Sequence, residues 1–320
     1  MGVNLSTKHY SPLRYPGGKA KLSYYVQLLI DYNLINDGHY VEPYAGGASV
    51  ALSLLFNEFV SEVHINDFDV RIYSFWNSIL ENTDEFIEKI ETTELTIQNW
   101  KKQKIIQQNF QNYTEMEVGF STFFLNRTNR SGILKAGVIG GKNQDGEWKM
   151  DARFNKVNLI ERIKKISRYK NRINLYNEDA VDLTQKLNKT LPKQTLFYFD
   201  PPYYNKGKDL YINFYEHADH KQIADIISKL KNRYWLVSYD NDKNISDLYS
   251  KFLQRTYQLN YHANNATKGT EIMIYSDNLI VPEMNSPVDK SELKEFNEDG
   301  LKAKWIYQRN NTVPNNVYKT

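Results

Sequence analysis

The sequence predicts an α/β protein: a mainly parallel sheet with helices on both faces, interrupted once by a mainly helical insert. Three observations predict it. Short β-branched and aromatic runs alternate with helix-length apolar-periodic segments, the order that builds a parallel sheet. One such run, His39-Tyr40-Val41-Glu42-Pro43, passes straight into Tyr44-Ala45-Gly46-Gly47-Ala48-Ser49 and then a helix through Phe56. Strand, glycine turn and helix in that order make a nucleotide-type entry, where backbone without side chains lets a cofactor approach. From residue 83 to 172, by contrast, strand alternation gives way to helical segments.

Composition bounds the function. The 320 residues, 41% hydrophobic and 25% charged, form an ordinary globular chain with ample core. No apolar stretch reaches membrane-spanning length, and the segment Met1 to Tyr10 has no apolar signal core. Zero cysteines exclude disulfides, thiolate metal sites and cysteine nucleophiles, and fit a cytoplasmic protein. Net charge is only +3, yet residues 101–175 carry 16 Lys/Arg against 6 Asp/Glu. A basic middle in an acidic remainder suits a polyanion-binding module within an enzyme, although a solvated helical surface gives the same count.

The elements follow in order. Ser11-Pro12-Leu13-Arg14-Tyr15-Pro16-Gly17-Gly18-Lys19 is a loop that leads into an apolar-periodic helix, Leu22 to Ile30. After the glycine turn, the strand Glu62 to Asn66 ends at Asp67, about 20 residues on, where such folds place a ribose-binding acid. Helices are expected from Val70 to Leu80, Thr83 to Ile90, Ile97 to Asn109 and Glu117 to Leu125, then a long structureless loop from Lys135 to Arg153. Strands return at Arg172 to Tyr176 and Thr195 to Phe199, the latter closing on Asp200-Pro201-Pro202-Tyr203. Two prolines end the ladder, so a carbonyl and the Asp200 carboxylate can face a cleft beside an aromatic plane. That set suits a planar ligand with an amino group; by itself it is equally a strand end with a turn. Later come a helix from His217 to Leu230, a strand Tyr234 to Tyr239, and a closing antiparallel pair expected at the sheet edge. The tail from about Pro282 is polar, with a short helix expected at Lys290 to Phe296. His217 and His220 lack a third ligand, and no metal is expected there. No Gly-Lys-Ser/Thr phosphate loop or serine elbow is present.

With the Pro-Gly-Gly-Lys loop, the Glu-Pro-Tyr-Ala-Gly-Gly turn and Asp-Pro-Pro-Tyr in this order, the chain resembles the Dam-like (D12 class) adenine-N6 DNA methyltransferases, from Ser11 to about Ser276. The resemblance implies a Rossmann-like S-adenosylmethionine-dependent sheet, with residues 1–82 and 173–281 catalytic, 83–172 a target-recognition domain and 282–320 an extension. It implies S-adenosylmethionine held by Tyr15, Lys19, Glu42, Pro43, Tyr44, Gly46, Gly47, Asp67 and Asp200, and catalysis by Asp200, Pro201, Pro202 and Tyr203. Double-stranded DNA is the implied partner, met by Arg14, Asn126, Arg127, Arg130 and Lys135. A bacterial or phage-encoded cytoplasmic monomer follows, alone or beside a separately acting restriction endonuclease. GATC-methylating relatives follow Leu-Asn-Arg with an aromatic and Asn-Gly-Leu; here Arg130-Ser131-Gly132-Ile133-Leu134-Lys135 stands instead, so a different base-reading face is expected. An RNA adenine methyltransferase and a non-catalytic DNA-binding regulator are the alternatives on the same fold.

Overall fold

A computed structural model, describing residues 9–14, 19–204, 215–261 and 267–289, contains one seven-stranded sheet in the order β3-β2-β1-β4-β5-β7-β6. The strands are β1 (Gly38–Glu42), β2 (Val60–Asn66), β3 (Ile173–Tyr176), β4 (Thr195–Phe199), β5 (Tyr234–Asp240), β6 (Leu253–Tyr261) and β7 (Thr267–Tyr275). The first five run parallel, and β7 is antiparallel to both its neighbours. Strand order reverses between β1 and β4, and a crevice opens beyond the carboxyl ends of strands at such a switch. The closing pair is antiparallel as its sequence predicts. However, β7 lies inside, between β5 and β6, and its segment Glu271 to Tyr275 is buried.

Alternate strand residues feed two cores. Tyr40, Leu196, Tyr198 and Leu236 face one side, and Val41, Phe197, Phe199 and Val237 the other. Helices α1 (Ser23–Tyr32), α2 (Ser49–Phe56) and α3 (Val70–Glu81) cover the first side. Helices α8 (Ala180–Thr190), α9 (His217–Ile227) and α10 (Lys243–Leu248) cover the second.

The insert consists of α4 (Thr83–Thr92), α5 (Ile97–Gln108), α6 (Glu115–Thr128) and α7 (Lys156–Arg168). A reciprocal cap between Thr114 and Glu117 starts α6. Gly119 lets α6 approach α3: a Cβ there would sit 2.5 Å from the Ser74 carbonyl oxygen. Phe75 of α3 stacks on Phe123 of α6, and Phe86 and Phe154 close around them, so insert and sheet share one core. The segment from Lys135 to Arg153, expected to be structureless, is instead tied down. Asn129 bridges to Val138, Gln144 donates to the Ile139 and Gly141 carbonyls and accepts from the Met150 amide, and Met150–Arg153 forms a 3-10 turn. Side-chain amides supply these bonds, and hydrophobic periodicity carries no trace of them. The helix expected at Lys290 to Phe296 lies outside the described residues, as does most of the loop after Tyr204.

Candidate active site

The β4 ladder stops at Phe199, paired with Val237, and Asp200 stands just beyond it. Ser238 donates to Asp200 Oδ1 at 2.8 Å and shares a 2.8 Å bond with the Tyr198 hydroxyl. Lys19 Nζ lies 3.4 Å from the same oxygen. Among the described residues, neither Asp200 Oδ2 nor the Pro201 carbonyl has a hydrogen-bond partner. Burial pushes the Asp200 carboxyl up to about 6; Lys19 opposes that and Glu271 adds to it. The Lys19 charge is shared between Asp200 and Glu271. Its ammonium contacts both oxygens of Glu271, at 2.8 and 2.7 Å. Burial alone would lower the Lys19 pKa, but Asp200 and Glu271 more than offset it and hold the group well above its usual value.

Glu271 is fully buried in β7 and also accepts from the Tyr203 and Tyr257 hydroxyls. The Tyr203 hydroxyl is shared with Lys19 at 3.1 Å, and its ring lies 5.0 Å beneath the ammonium. This ring is 4% exposed, so a ligand reaches its face only by displacing what covers it. Pro202 is half-buried beside it. The structure thus brings Lys19, Asp200 and Tyr203 together through Glu271, Ser238 and Tyr257, three residues that carry no motif. Ser238 and Glu271 are polar side chains beside apolar strand residues, and Tyr257 has no such signal.

The glycine turn is built from below. Asn66 donates to the Pro43 carbonyl, Trp76 to the Gly46 carbonyl, and the Gly46 amide to Asp67 Oδ2 at 3.1 Å. Gly46, at φ 47°, sits in the left-handed region that glycine adopts without strain. Glu42 accepts from the Ala51 amide and the Tyr40 hydroxyl, both at 3.0 Å. Tyr44 bonds the Tyr215 hydroxyl at 2.9 Å. Burial raises Glu42 to about 8 and Asp67 to about 7. Phe68, beside Asp67, is 62% exposed, an apolar face that its position alone did not single out. Tyr15 lies outside the described residues. Carboxylates at the ends of β1, β2 and β4, a bare backbone turn and an exposed ring fit a ligand with cationic, hydroxyl-bearing and flat aromatic parts.

The basic face is mixed. Arg130 and Lys135 are exposed. Asn126 is 1% exposed; its amide accepts from the Arg14 amide and donates to the Arg14 and Gly132 carbonyls, pinning the amino-terminal segment to the loop after α6. Arg127 is 8% exposed, and its Nε has no hydrogen-bond partner. Burial, then Arg162, Arg14 and Arg153, bring its pKa down to about 9. Four guanidiniums gathered with no carboxylate paired to them among the described residues match an anion.

A comparison with curated proteins gives no match. The family described as D12 class N6 adenine-specific DNA methyltransferase matches residues 15–264. That span contains the glycine turn, the Asp200 strand end and the helical insert between them. On this match, and with a sheet and site of this form, the chain belongs to the D12 class N6 adenine-specific DNA methyltransferase family.

Proposed function

We propose that the chain methylates N6 of a specific adenine in duplex DNA, with residues 1–82 and 173–281 catalytic and 83–172 reading the target. Asp200 carries this reading: a carboxylate held by Ser238 at one oxygen, with the other oxygen and the adjacent Pro201 carbonyl unengaged among the described residues. Members of this family generally use S-adenosylmethionine, which supplies an electrophilic methyl group when bound. Glu42, Pro43, Tyr44, Gly46, Gly47 and Asp67 would hold it, with Tyr15, Lys19 and Asp200 at its edge and Phe68 against its flat part.

An adenine amino group inside a duplex is out of reach, so the base is flipped out at a cost of a few kcal/mol. Asp200 Oδ2 and the Pro201 carbonyl then each accept one amino hydrogen. The nitrogen is drawn from planar towards tetrahedral, which localises its lone pair and stabilises the positive charge that develops there. Tyr203, fixed by Lys19 and Glu271, stacks on the base once what covers its ring is displaced, and Pro202 keeps the turn rigid. Arg130 and Lys135, both exposed, would read bases, whereas Arg127 with Arg14, Arg153 and Arg162 suits a phosphate. Asn126 positions Arg14.

A cytoplasmic monomer of bacterial or phage origin, with or without a separately acting restriction endonuclease, completes the proposal. Incubation with methyl-labelled cofactor should label duplex DNA and not RNA. Sequencing of methylated adenines in DNA from a host expressing the chain should show one short context other than GATC. Label in RNA, or none in either, overturns the reading.

A further inference from the structure

Away from the crevice, β1 and β2 hold another set of chemistry-bearing side chains. His39 pairs in register with Glu62, and His64 follows two residues later opposite Val41. Residues two apart on a strand share a face, so all three stand on the side that Val41 presents to the second core. Each offers one ligand atom, and the three atoms lie within 4.8 Å of one another. We propose that His39, Glu62 and His64 bind a divalent cation of the zinc class.

The spacing fits. Three atoms no more than 4.8 Å apart share a centre within about 2.8 Å of each (4.8 divided by √3), against zinc bonds of about 2.0–2.2 Å to nitrogen and oxygen. Shifts well under 1 Å close the set. His39 Nδ1 and His64 Nε2 are 3.0 Å apart and share one proton. For both to face an ion, that proton moves to an outer nitrogen. On His64 this is Nδ1, 3.0 Å from the Tyr176 hydroxyl, which can accept from it. No proton is lost and both rings stay neutral. Glu62 Oε2 accepts from Asn174 at 2.9 Å, which aims the carboxylate. Outer partners of this kind are what orient metal ligands.

Two imidazoles and one carboxylate suit zinc, copper or nickel rather than magnesium or calcium. His39 and Glu62 are half-buried and His64 is buried, so water can complete the coordination from the open side. The ion would tie β1 to β2 beneath the glycine turn, two residues before Asn66, without touching the reacting groups.

The test uses the full chain, untagged and stripped with a chelator. Zinc should raise its melting temperature by a few degrees and magnesium should not; cobalt should develop visible absorption. His39→Gln and Glu62→Gln, whose half-buried positions tolerate the change, should keep the metal-free melting temperature while weakening zinc by at least the roughly 10–100-fold that losing even an outer partner costs. His217→Gln should leave zinc binding unchanged. No shift with zinc, equal affinity in the two site variants, or loss in His217→Gln would each overturn the site.

Discussion

A lysine as buried as Lys19 must bring its counter-charge with it, and here the counter-charge comes from a residue 252 positions later, Glu271. Glu271→Gln leaves the ammonium with only Asp200 and should destabilise the fold by about 3 kcal/mol, the range for a buried pair that loses one partner. Urea unfolding measures it; a loss below about 1 kcal/mol would mean the pair is dispensable. Asp200→Ala should abolish methyl transfer while keeping cofactor affinity within about tenfold, because in the proposed reaction this side chain acts on the amino group. Normal turnover in that variant would remove Asp200 from the reaction. Acceptance of the amino hydrogen needs the carboxylate, whose pKa burial has raised to about 6. kcat/KM should therefore fall tenfold per pH unit below about 6 and level off above it; a profile flat down to pH 5 contradicts the assignment.

At the scale of elements, the glycine turn and the loop after α6 carry the cost of the site. Glu42 and Asp67 have folded pKa values of about 8 and 7, above their unfolded ones, so the native state holds more protons than the unfolded state in this window. Stability falls with pH where that is so. The three histidines shifted the opposite way, His64 and His220 at about 4 and His9 also lowered by burial, make stability rise only up to the ordinary histidine range. Between about pH 6.5 and 8 the carboxylates are left alone, and the cofactor-free protein should lose stability, as calorimetry across that window would reveal. In the insert, Gly132 has φ 76°, and a Cβ there would lie 2.4 Å from the Arg14 carbonyl oxygen. Gly132→Ala should cost about 2 kcal/mol and loosen Arg14 from Asn126. Unchanged stability would show that the two segments part freely. Periodicity, unbroken apolar runs and turn chemistry reveal the helices and strands here, because outer helices such as α7 bury one face and central strands such as β4 bury both. The Gln144 and Asn129 bonds that order the 135–153 segment have no period, so the sequence shows that segment only as polar.

At the scale of the molecule, the basic insert should make DNA affinity fall steeply with salt, and Arg162→Gln should weaken all sequences alike while reducing the salt slope by about 1. A change in sequence preference instead would make Arg162 a base reader. The motif residues at strand ends were legible because prolines, glycines and acids there are rare and ordered along the chain. Ser238, Glu271 and Arg153 were not, since their roles exist only after the sheet and insert bring distant segments together. The interior place of β7 has one more consequence. During synthesis Lys19 emerges early and its anchor, Glu271, late, after the whole insert and β6. A nascent chain can fold its glycine turn long before it has a fixed lysine or a fixed Tyr203. In the proposed reaction, the growing polypeptide therefore lacks a complete site until β7, the last strand along the chain among the described residues, has been made.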